Sequence, residues 1–493
     1  MRLDNINCES VFSVFLATAN RYSGNECIHI PSMTAGKNFL EPVSITYSAM
    51  LDEVRRLAAV YAGSGYGPGH RIALALENRA AFFIHFLALN SLGASIVPVN
   101  TDMSEGEIAY LLDHSDVALV VALKEHVQAL QLSAEKSGLQ KAIIAEDKLS
   151  DDIQPPARMV SPESVTEGSE AALLYTSGTT GKPKGCILSN AHLNAMGHWY
   201  TNAGGYCALE AGIERLITPL PLYHANALVC SFMAMIHSGG CVIQLDRFHP
   251  SQWWDLVRQS KATIVHYLGV MPAILLGLPE QDSDDFSAQI KFGFGAGADP
   301  KHQKIFEERF GFPLIEAWSM TEVGAAAIAC ANHEPRYPGH RCFGQFAPGV
   351  EFCLVNESGD AVPREEPGEL LVRRTGPEPR RFFFSGYYKD PEATNEAWRG
   401  GWFHTGDVVR QGEDGSLFFV DRRKNIIRRS GENIAAAEVE GVLLNHTAVK
   451  NCAVVPTPDD IRGEEVTACI QLHAESFASI ILAPEFVDGC FGT

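Results

Sequence analysis

Apolar and polar residues alternate with two different periods along this chain, and the periods predict helices and strands in turn. Residues 47–63 carry apolar side chains every three to four positions and end in glycine, which is typical of an amphipathic helix. Short apolar runs at 71–76 and 117–123 predict buried strands. Helices are predicted in the same way at 81–91, 105–114, 253–261 and 300–310, and strands at 94–99, 241–245 and 263–267. This strand–helix alternation favours parallel sheets covered by helices.

The pattern changes near residue 340, where glycine and proline become more frequent and the apolar runs shorten to 351–355, 369–372 and 417–420. A charged cluster at 421–424 precedes a predicted helix (435–444) and two strands (448–455 and 465–472). We therefore predict an α/β fold with a large N-terminal domain of parallel-rich sheets flanked by helices, at 1–421. Its last part, 340–421, forms a β-rich subdomain, and residues 422–493 form a small, mobile and incomplete α+β C-terminal domain.

The composition and net charge of the chain argue against several classes of function. The 493 residues carry a formal charge of −20, which argues against a nucleic-acid partner or an anionic membrane surface. The most hydrophobic stretch, 80–99, contains His85, Asn90 and Gly93, so a helix, a turn and a strand are expected there and not a membrane span. The 12 cysteines form no C-x-x-C pair and predict reduced thiols, not a zinc site. With no signal peptide visible at the N-terminus, we expect a cytoplasmic protein without integral membrane association.

The strongest candidate for chemistry is the segment 173–185, in which an apolar strand runs into four hydroxyl residues, three glycines and two lysines. Glycines let a backbone approach an anion closely, hydroxyls add hydrogen-bond donors, and lysine adds positive charge. The glycine spacing differs from the common nucleotide-binding motif G-x-x-x-x-G-K-[ST]. The segment is therefore predicted to hold phosphate groups in a different type of loop.

Residues 176–185 resemble the signature loop of the adenylate-forming superfamily, which includes acyl-CoA synthetases, luciferases and the adenylation domains of peptide synthetases. Further motifs of that superfamily are matched in order along roughly residues 40–472. They lie at 219–224, 295–300, 318–322, 368–370, 386–394, 401–407, 421–424 and 430–433. Residues 223–227 and 421–434 look most like crotonobetaine/carnitine-CoA ligase-type enzymes.

The resemblance implies an AMP-forming acyl-CoA synthetase that uses ATP, Mg²⁺ and coenzyme A to activate a small or medium carboxylic acid. The implied catalytic residues are Lys184, Thr321, Glu322 and His224, with Glu322 and Thr180 as metal ligands. Implied nucleotide contacts are Thr176, Ser177, Gly178, Thr179, Thr180, Gly181, Gly295, Ala296, Gly297, Trp318, Ser319, Asp407 and Arg422. Lys424 corresponds to the family hinge, and Arg428, Ser430, Gly431 and Glu432 would border the channel for coenzyme A.

These implied roles suit the residue types. Lys184 would neutralise the β- and γ-phosphates, Thr321 would contact the α-phosphate, and Mg²⁺ prefers a carboxylate such as Glu322 together with phosphate oxygens. Trp318 would stack on adenine, while Asp407 and Arg422 would bind the ribose. The expected acyl-pocket walls are His224, Asn226, Ala227, Gly269, Val270, Gly295, Ser319, Met320, Gly324 and Ala325.

The end of the sequence departs from the family, which carries a catalytic lysine well beyond the hinge. Here 69 residues follow Lys424, and residues 473–493 contain no lysine, so the ending resembles a truncation. Losing one preorganised charge contact typically costs about 10²–10³ in rate, so weak adenylation is expected, with thioester formation less affected.

Two alternatives remain open at this point. A carrier-protein-loading adenylation domain would place a carboxylate after the position of His224, where this chain has Ala225 and Asn226. A catalytically impaired protein that binds a nucleotide or an acyl-adenylate would also fit the missing lysine. The acid, the pathway and the oligomeric state are not determined by the sequence.

Overall fold

The computed structural model describes residues 10–31, 42–160, 164–176, 182–429, 432–444, 446, 448–459 and 463–472. Within these residues the chain forms two compact units. The first comprises residues up to 351 together with 373–398, and the second comprises 352–372 and the residues from 399 onward. The fold is α/β with parallel-rich sheets and helices, which confirms the predicted fold class. The predicted domain limits at 340 and 421 stay predictions.

Two sheets form the first unit. The seven-stranded sheet runs in the order β18-β8-β7-β4-β3-β5-β6 and the nine-stranded sheet in the order β15-β14-β13-β12-β11-β9-β10-β1-β2. In chain order their strands are β1 (Glu26–Ile30), β2 (Val43–Thr46), β3 (Arg71–Ala75), β4 (Ser95–Pro98), β5 (Leu119–Ala122), β6 (Ile143–Ala145), β7 (Glu170–Thr176), β8 (Lys184–Ser189), β9 (Arg215–Thr218), β10 (Cys241–Gln244), β11 (Ile264–Leu268), β12 (Phe292–Ala296), β13 (Leu314–Trp318), β14 (Ala329–Cys330), β15 (Gln345–Phe346) and β18 (Gly386–Tyr387). The central strands of both sheets are parallel, and antiparallel strands lie at the edges.

Two helices of this unit begin or end at clear local sequence signals. α4 starts with a capping box between Ser104 and Glu107, and α11 starts at Asp299-Pro300 and ends at Gly311, whose φ of +77° suits glycine. The helices are α1 (Val11–Arg21), α2 (Tyr47–Gly63), α3 (Ala80–Ser91), α4 (Glu105–His114), α5 (Lys124–Lys136), α6 (Leu149–Asp152), α7 (Asn190–Thr201), α8 (Met233–Ser238), α9 (Trp253–Gln259), α10 (Val270–Leu276), α11 (Pro300–Phe310) and α12 (Pro391–Ala397), with a π-helix at Asn226–Phe232.

The core of the first unit contains helix α3, the hydrophobic stretch singled out in the sequence. Its residues from Phe82 to Asn90 are buried with the exception of Ile84, so the helix is apolar on nearly all sides. The ring of Phe83 lies 4.7 Å from that of Phe232 at the end of the π-helix. No helix among the described residues combines the length and the hydrophobicity needed to cross a bilayer.

One side chain ties the two sheets together at the ends of their parallel strands. Asn78, which follows β3, donates to the carbonyls of Leu220 and Leu245, which follow β9 and β10. Its Oδ1 accepts from the amide of Leu222 at 2.9 Å. The carboxyl edges of both sheets therefore meet, and ligand sites in open α/β sheets lie at such edges.

The second unit contains two antiparallel four-stranded sheets and one helix among its described residues. The first sheet has the order β16-β17-β19-β20 and the second the order β22-β21-β24-β23. The elements are β16 (Val350–Val355), β17 (Pro367–Arg374), β19 (Phe403–Gln411), β20 (Leu417–Arg422), β21 (Ile426–Arg429), β22 (Glu432–Ala435), α13 (Ala436–Leu443), β23 (Val449–Asp459) and β24 (Gly463–Leu472).

The ten cysteines among the described residues are all free thiols, and seven of them are buried. No group of three or more histidine, cysteine, aspartate or glutamate side chains within the described ranges is arranged to hold a metal ion.

Candidate active site

The nine-stranded sheet ends in a row of small residues at its carboxyl edge. Strands β11, β12 and β13 are parallel neighbours, and they are followed by Gly269, Gly297 and Ser319. A Cβ atom on Gly269 would lie 2.2 Å from the carbonyl oxygen of Gly297, and one on Gly295 would lie 2.3 Å from that of Tyr267. These glycines are therefore required for the close approach of the strand ends.

A buried glutamate holds the turn that follows β12. Glu316, on β13, accepts from the amide of Gly297 at 2.8 Å and from that of Ala298 at 3.1 Å. The hydroxyl of Tyr267 donates to the same carboxylate at 2.5 Å. Burial raises the pKa of Glu316, and these three donors act in the opposite direction. Because Gly297 has a φ of +77°, the turn depends on both its glycine and this carboxylate.

Trp318 is the last residue of β13 and is only 5% exposed. Its ring centroid lies 6.0 Å from that of Phe343 and 5.7 Å from that of Phe346. Ser319 is exposed, and its hydroxyl donates to the carbonyl of Gly324 at 3.0 Å. Stacking of adenine on Trp318 stays a prediction, and the ring already packs on aromatic neighbours.

Glu322 and Lys184 come together at the ring of Tyr387. Glu322 is 6% exposed, and its Oε1 accepts from the hydroxyl of Tyr387 at 2.8 Å. The Nζ of Lys184 lies 5.0 Å from the centroid of the same ring. Strand β18 places Tyr387 here by pairing with β8, where Tyr387 stands opposite Cys186. The structure therefore links the implied metal ligand to the implied phosphate-binding lysine through one tyrosine.

The two ends of the predicted phosphate loop are held by strand pairing. Thr176, the last residue of β7, stands opposite Lys184, the first residue of β8. On the exit side, Tyr110 donates its hydroxyl to the carbonyl of Pro183 at 3.1 Å, and Nζ of Lys182 lies 5.3 Å from its ring centroid. The predicted contacts Ser177, Gly178, Thr179, Thr180 and Gly181 lie outside the described residues.

Three of the predicted acyl-pocket residues, His224, Asn226 and Ala227, precede or enter the π-helix. His224 has an exposed side chain, although desolvation by its neighbours lowers its pKa. Behind the π-helix, the fully buried His266 bonds to Tyr200 through Nε2 at 2.9 Å and to Ser231 through Nδ1 at 2.8 Å. Burial lowers the pKa of His266 to about 3, so a neutral ring anchors this segment to β11.

In the second unit, the two implied ribose contacts are neighbours on antiparallel strands. Asp407 of β19 stands opposite Arg422 of β20, and Nε of Arg422 lies 3.4 Å from Oδ1 of Asp407. Asp407 is 4% exposed, whereas half of the Arg422 side chain is exposed.

The residues that follow Arg422 are described only in part. Lys424 belongs to a single 3₁₀ turn, and Arg428 and Glu432 lie on the paired strands β21 and β22. The side chains of these three residues, and all of Ser430 and Gly431, lie outside the described part of the chain. The proposed hinge and coenzyme A contacts therefore stay predictions.

Sequence reasoning assigned no role to Glu316, Asn78 or Tyr387. Glu316 has a visible signal, because it is a charged residue inside the otherwise apolar run Leu314–Trp318. Tyr387 lies inside a recognised motif, but its partner Glu322 is 65 residues away. Asn78 has a partner 167 residues away and leaves no local signal.

Comparison with known proteins identifies the family to which this chain belongs. Residues 17–388 match the AMP-binding enzyme family, and residues 438–487 match the AMP-binding enzyme C-terminal domain. The chain is 31% identical over 439 residues to sulfoacetate–CoA ligase of Cupriavidus necator, covering 87% of this chain and 83% of that protein. It is 28% identical over 443 residues to crotonobetaine/carnitine–CoA ligase of Citrobacter koseri, covering 87% and 84%.

A solved structure shares the fold over nearly the whole chain. o-Succinylbenzoate coenzyme A synthetase from Bacillus subtilis, in complex with its acyl-adenylate intermediate, matches with a TM-score of 0.82 at 23% identity. The match covers 98% of this chain and 92% of that one. The same enzyme in complex with ATP and magnesium ion matches with a TM-score of 0.79 at 24% identity, covering 97% and 92%.

Proposed function

This chain belongs to the AMP-binding enzyme family and is an AMP-forming acid–thiol ligase, and we propose that it joins a small or medium carboxylic acid to coenzyme A through an acyl-adenylate. In the first step a carboxylate oxygen of the acid attacks the α-phosphorus of ATP, and pyrophosphate leaves. In the second step the sulfur of coenzyme A attacks the acyl carbonyl, loses its proton, and AMP leaves. The reacting groups are anionic, so positioning and charge neutralisation lower the barrier.

The observation that carries the proposal is the placement of Lys184 and Glu322 around Tyr387. A lysine at the phosphate loop and a desolvated carboxylate in contact with the same ring suit a polyphosphate with a bound cation. Glu322 fits Mg²⁺ because it is an oxygen ligand whose orientation is fixed by a hydroxyl donor. When bound, Mg²⁺ supplies positive charge to phosphate oxygens. Lys184 holds the phosphates beside it, and Thr321, one residue before Glu322, faces the α-phosphate.

The glycine-lined turn held by Glu316 is proposed as the adenine side of the nucleotide site. It stands at the carboxyl edge of the nine-stranded sheet, one strand away from Trp318. Asp407 and Arg422 are proposed to bind the ribose hydroxyls through the carboxylate and the guanidinium. These assignments are supported by residue chemistry and by the position of the turn at the edge where α/β sheets bind ligands.

The acyl side is proposed to accept an acid with an uncharged tail. The named relatives act on sulfoacetate and on crotonobetaine or carnitine. Among the ten predicted wall positions none is lysine, arginine, aspartate or glutamate. The predicted wall thus offers no fixed charge to a sulfonate or a quaternary ammonium group, and the lowered pKa of His224 favours its neutral form.

Pyrophosphate release tests the proposal across a panel of sulfoacetate, crotonobetaine and uncharged acids of two to eight carbons, with and without coenzyme A. An acid labelled with ¹⁸O in its carboxylate is expected to pass one label to AMP, which reports the bond formed in the first step. Coenzyme A–dependent AMP release separates a ligase from a carrier-protein-loading domain. Release of inorganic phosphate instead of pyrophosphate, or absence of label in AMP, would contradict the proposed chemistry.

A further inference from the structure

We propose that Tyr387 is a positioning residue. Its hydroxyl orients Glu322 toward the nucleotide-bound metal ion, and its ring attracts the ammonium group of Lys184. The inference rests on the proposed function and adds a residue to it. Tyr387 is 65 residues from Glu322 in sequence and reaches the site on the short strand β18. A second tie comes from the same segment, where the amide of Phe384 donates to the carbonyl of Glu322 at 2.8 Å.

The hydrogen bond from the Tyr387 hydroxyl fixes the orientation of the Glu322 carboxylate. Glu322 is 6% exposed, so few water molecules can fix its rotamer, and the Tyr387 hydroxyl donates to Oε1 at 2.8 Å. A carboxylate has about four acceptor sites, so this bond leaves capacity for a cation.

The ring itself is held from the other side. The amide of Tyr387 donates to Oγ1 of Thr394 at 2.9 Å, and its ring centroid lies 4.8 Å from that of Phe384. Nζ of Lys184 lies 5.0 Å from the centroid, within the distance at which an ammonium group is attracted to an aromatic face. The hydroxyl of Tyr387 therefore contacts Glu322 and the ring contacts Lys184, so a mutation can remove one contact and keep the other.

Tyr387→Phe removes the hydroxyl and keeps the ring, so it tests the orientation of Glu322 alone. Binding of Mn²⁺ in the presence of a non-hydrolysable ATP analogue, followed by the electron paramagnetic resonance signal of free Mn²⁺, measures the metal site without turnover. We expect roughly tenfold weaker Mn²⁺ binding, the lower end of the effect of a lost hydrogen bond to a charged group. The Mg²⁺ concentration for half-maximal pyrophosphate release should rise by a similar factor, while the KM for the acid stays within about twofold.

The neighbouring residue supplies a matched control. Tyr388 also donates its hydroxyl to a carboxylate, that of Asp116, at 2.6 Å, outside the proposed site. Tyr388→Phe should leave Mn²⁺ binding within about twofold of the unsubstituted protein. In a Glu322→Gln background, Tyr387→Phe should cause no further loss, because the two residues act through one bond.

The outcomes separate the two proposals. An unsubstituted protein that binds no Mn²⁺ with the nucleotide analogue refutes the proposed function. If Tyr387→Phe binds Mn²⁺ as tightly as the unsubstituted protein, the role of Tyr387 is refuted and the proposed function is unaffected. The same conclusion follows if Tyr387→Phe and Tyr388→Phe weaken Mn²⁺ binding equally. Urea denaturation of each variant accompanies the titrations, and a Mn²⁺ defect that persists at full native signal supports positioning over a folding defect.

Discussion

Glu316→Gln tests whether the buried carboxylate positions the turn after β12, which is proposed to bind the nucleotide. The carboxylate accepts from Gly297, Ala298 and Tyr267. A glutamine in the same rotamer can accept from Gly297 through its oxygen and donate to the Tyr267 hydroxyl, which can reverse its role. Its amide nitrogen would then face the Ala298 amide, so one buried N–H group loses its acceptor. Leaving such a donor unsatisfied costs about 1–3 kcal/mol.

Two measurements separate stability from positioning in this variant. Urea denaturation should show the free energy of unfolding lowered by about 1–3 kcal/mol. Pyrophosphate release at saturating acid and Mg²⁺ should show the KM for ATP raised by about three- to tenfold, with kcat changed less, because the turn is proposed to bind the nucleotide away from the reacting atoms.

Glu214 is the matched control for this experiment. It is fully buried, accepts from the amide of Glu210, the hydroxyl of Thr263 and the ammonium of Lys291, and precedes β9 at the opposite edge of the same sheet. Glu214→Gln should lower stability and leave the KM for ATP unchanged. An unchanged KM in Glu316→Gln, or an equal rise in both variants, would refute the reasoning.

Two further predictions concern buried histidines and the proposed ribose contact. Burial holds the pKa of His192 at about 4 and that of His266 at about 3, below the value near 6.5 expected when unfolded. Between about pH 6 and pH 4 the unfolded chain therefore binds up to about two protons that the folded chain does not, so the free energy of unfolding should fall as the pH falls, by at most about 3 kcal/mol per pH unit from this pair. His266→Gln should remove about half of this dependence, and an unchanged slope in urea titrations would contradict the prediction. Asp407→Asn should raise the KM for ATP by about tenfold or more through loss of charge-assisted bonds to the ribose, and an unaltered KM would exclude ribose contact.

Local sequence signals predicted the parts of the fold that local physics determines. Helices α2, α4 and α11 begin and end at the predicted residues, because apolar period, capping residues and terminal glycine all act within a few positions. Parallel strands such as β3 and β5 were predicted from apolar runs that only a doubly covered sheet can bury. The two-residue strands β14, β15 and β18 have no periodicity to detect, and their positions depend on pairing partners far along the chain.

In the candidate site, too, residues in local motifs were predicted and residues that act through long-range contacts were not. Lys184 and Glu322 were found because they stand in recognisable motifs, and the first unit brings them to one ring. The support around them was not found, because Tyr387 reaches Glu322 across 65 residues and Asn78 reaches Leu245 across 167. A sequence motif shows which residue types are present, whereas the bonds that orient them are a property of the folded chain.

Strand β18 also has a consequence for how this protein is made. In the folded chain β8 lies between β7 and β18, so before residues 386–387 leave the ribosome the side of β8 that faces β18 has no strand partner. Open edges of this kind recruit other strands and promote aggregation. Nascent chains and proteolytic fragments that stop short of β18 are therefore expected to require chaperone protection, and co-expression of a fragment with the missing segment should restore solubility.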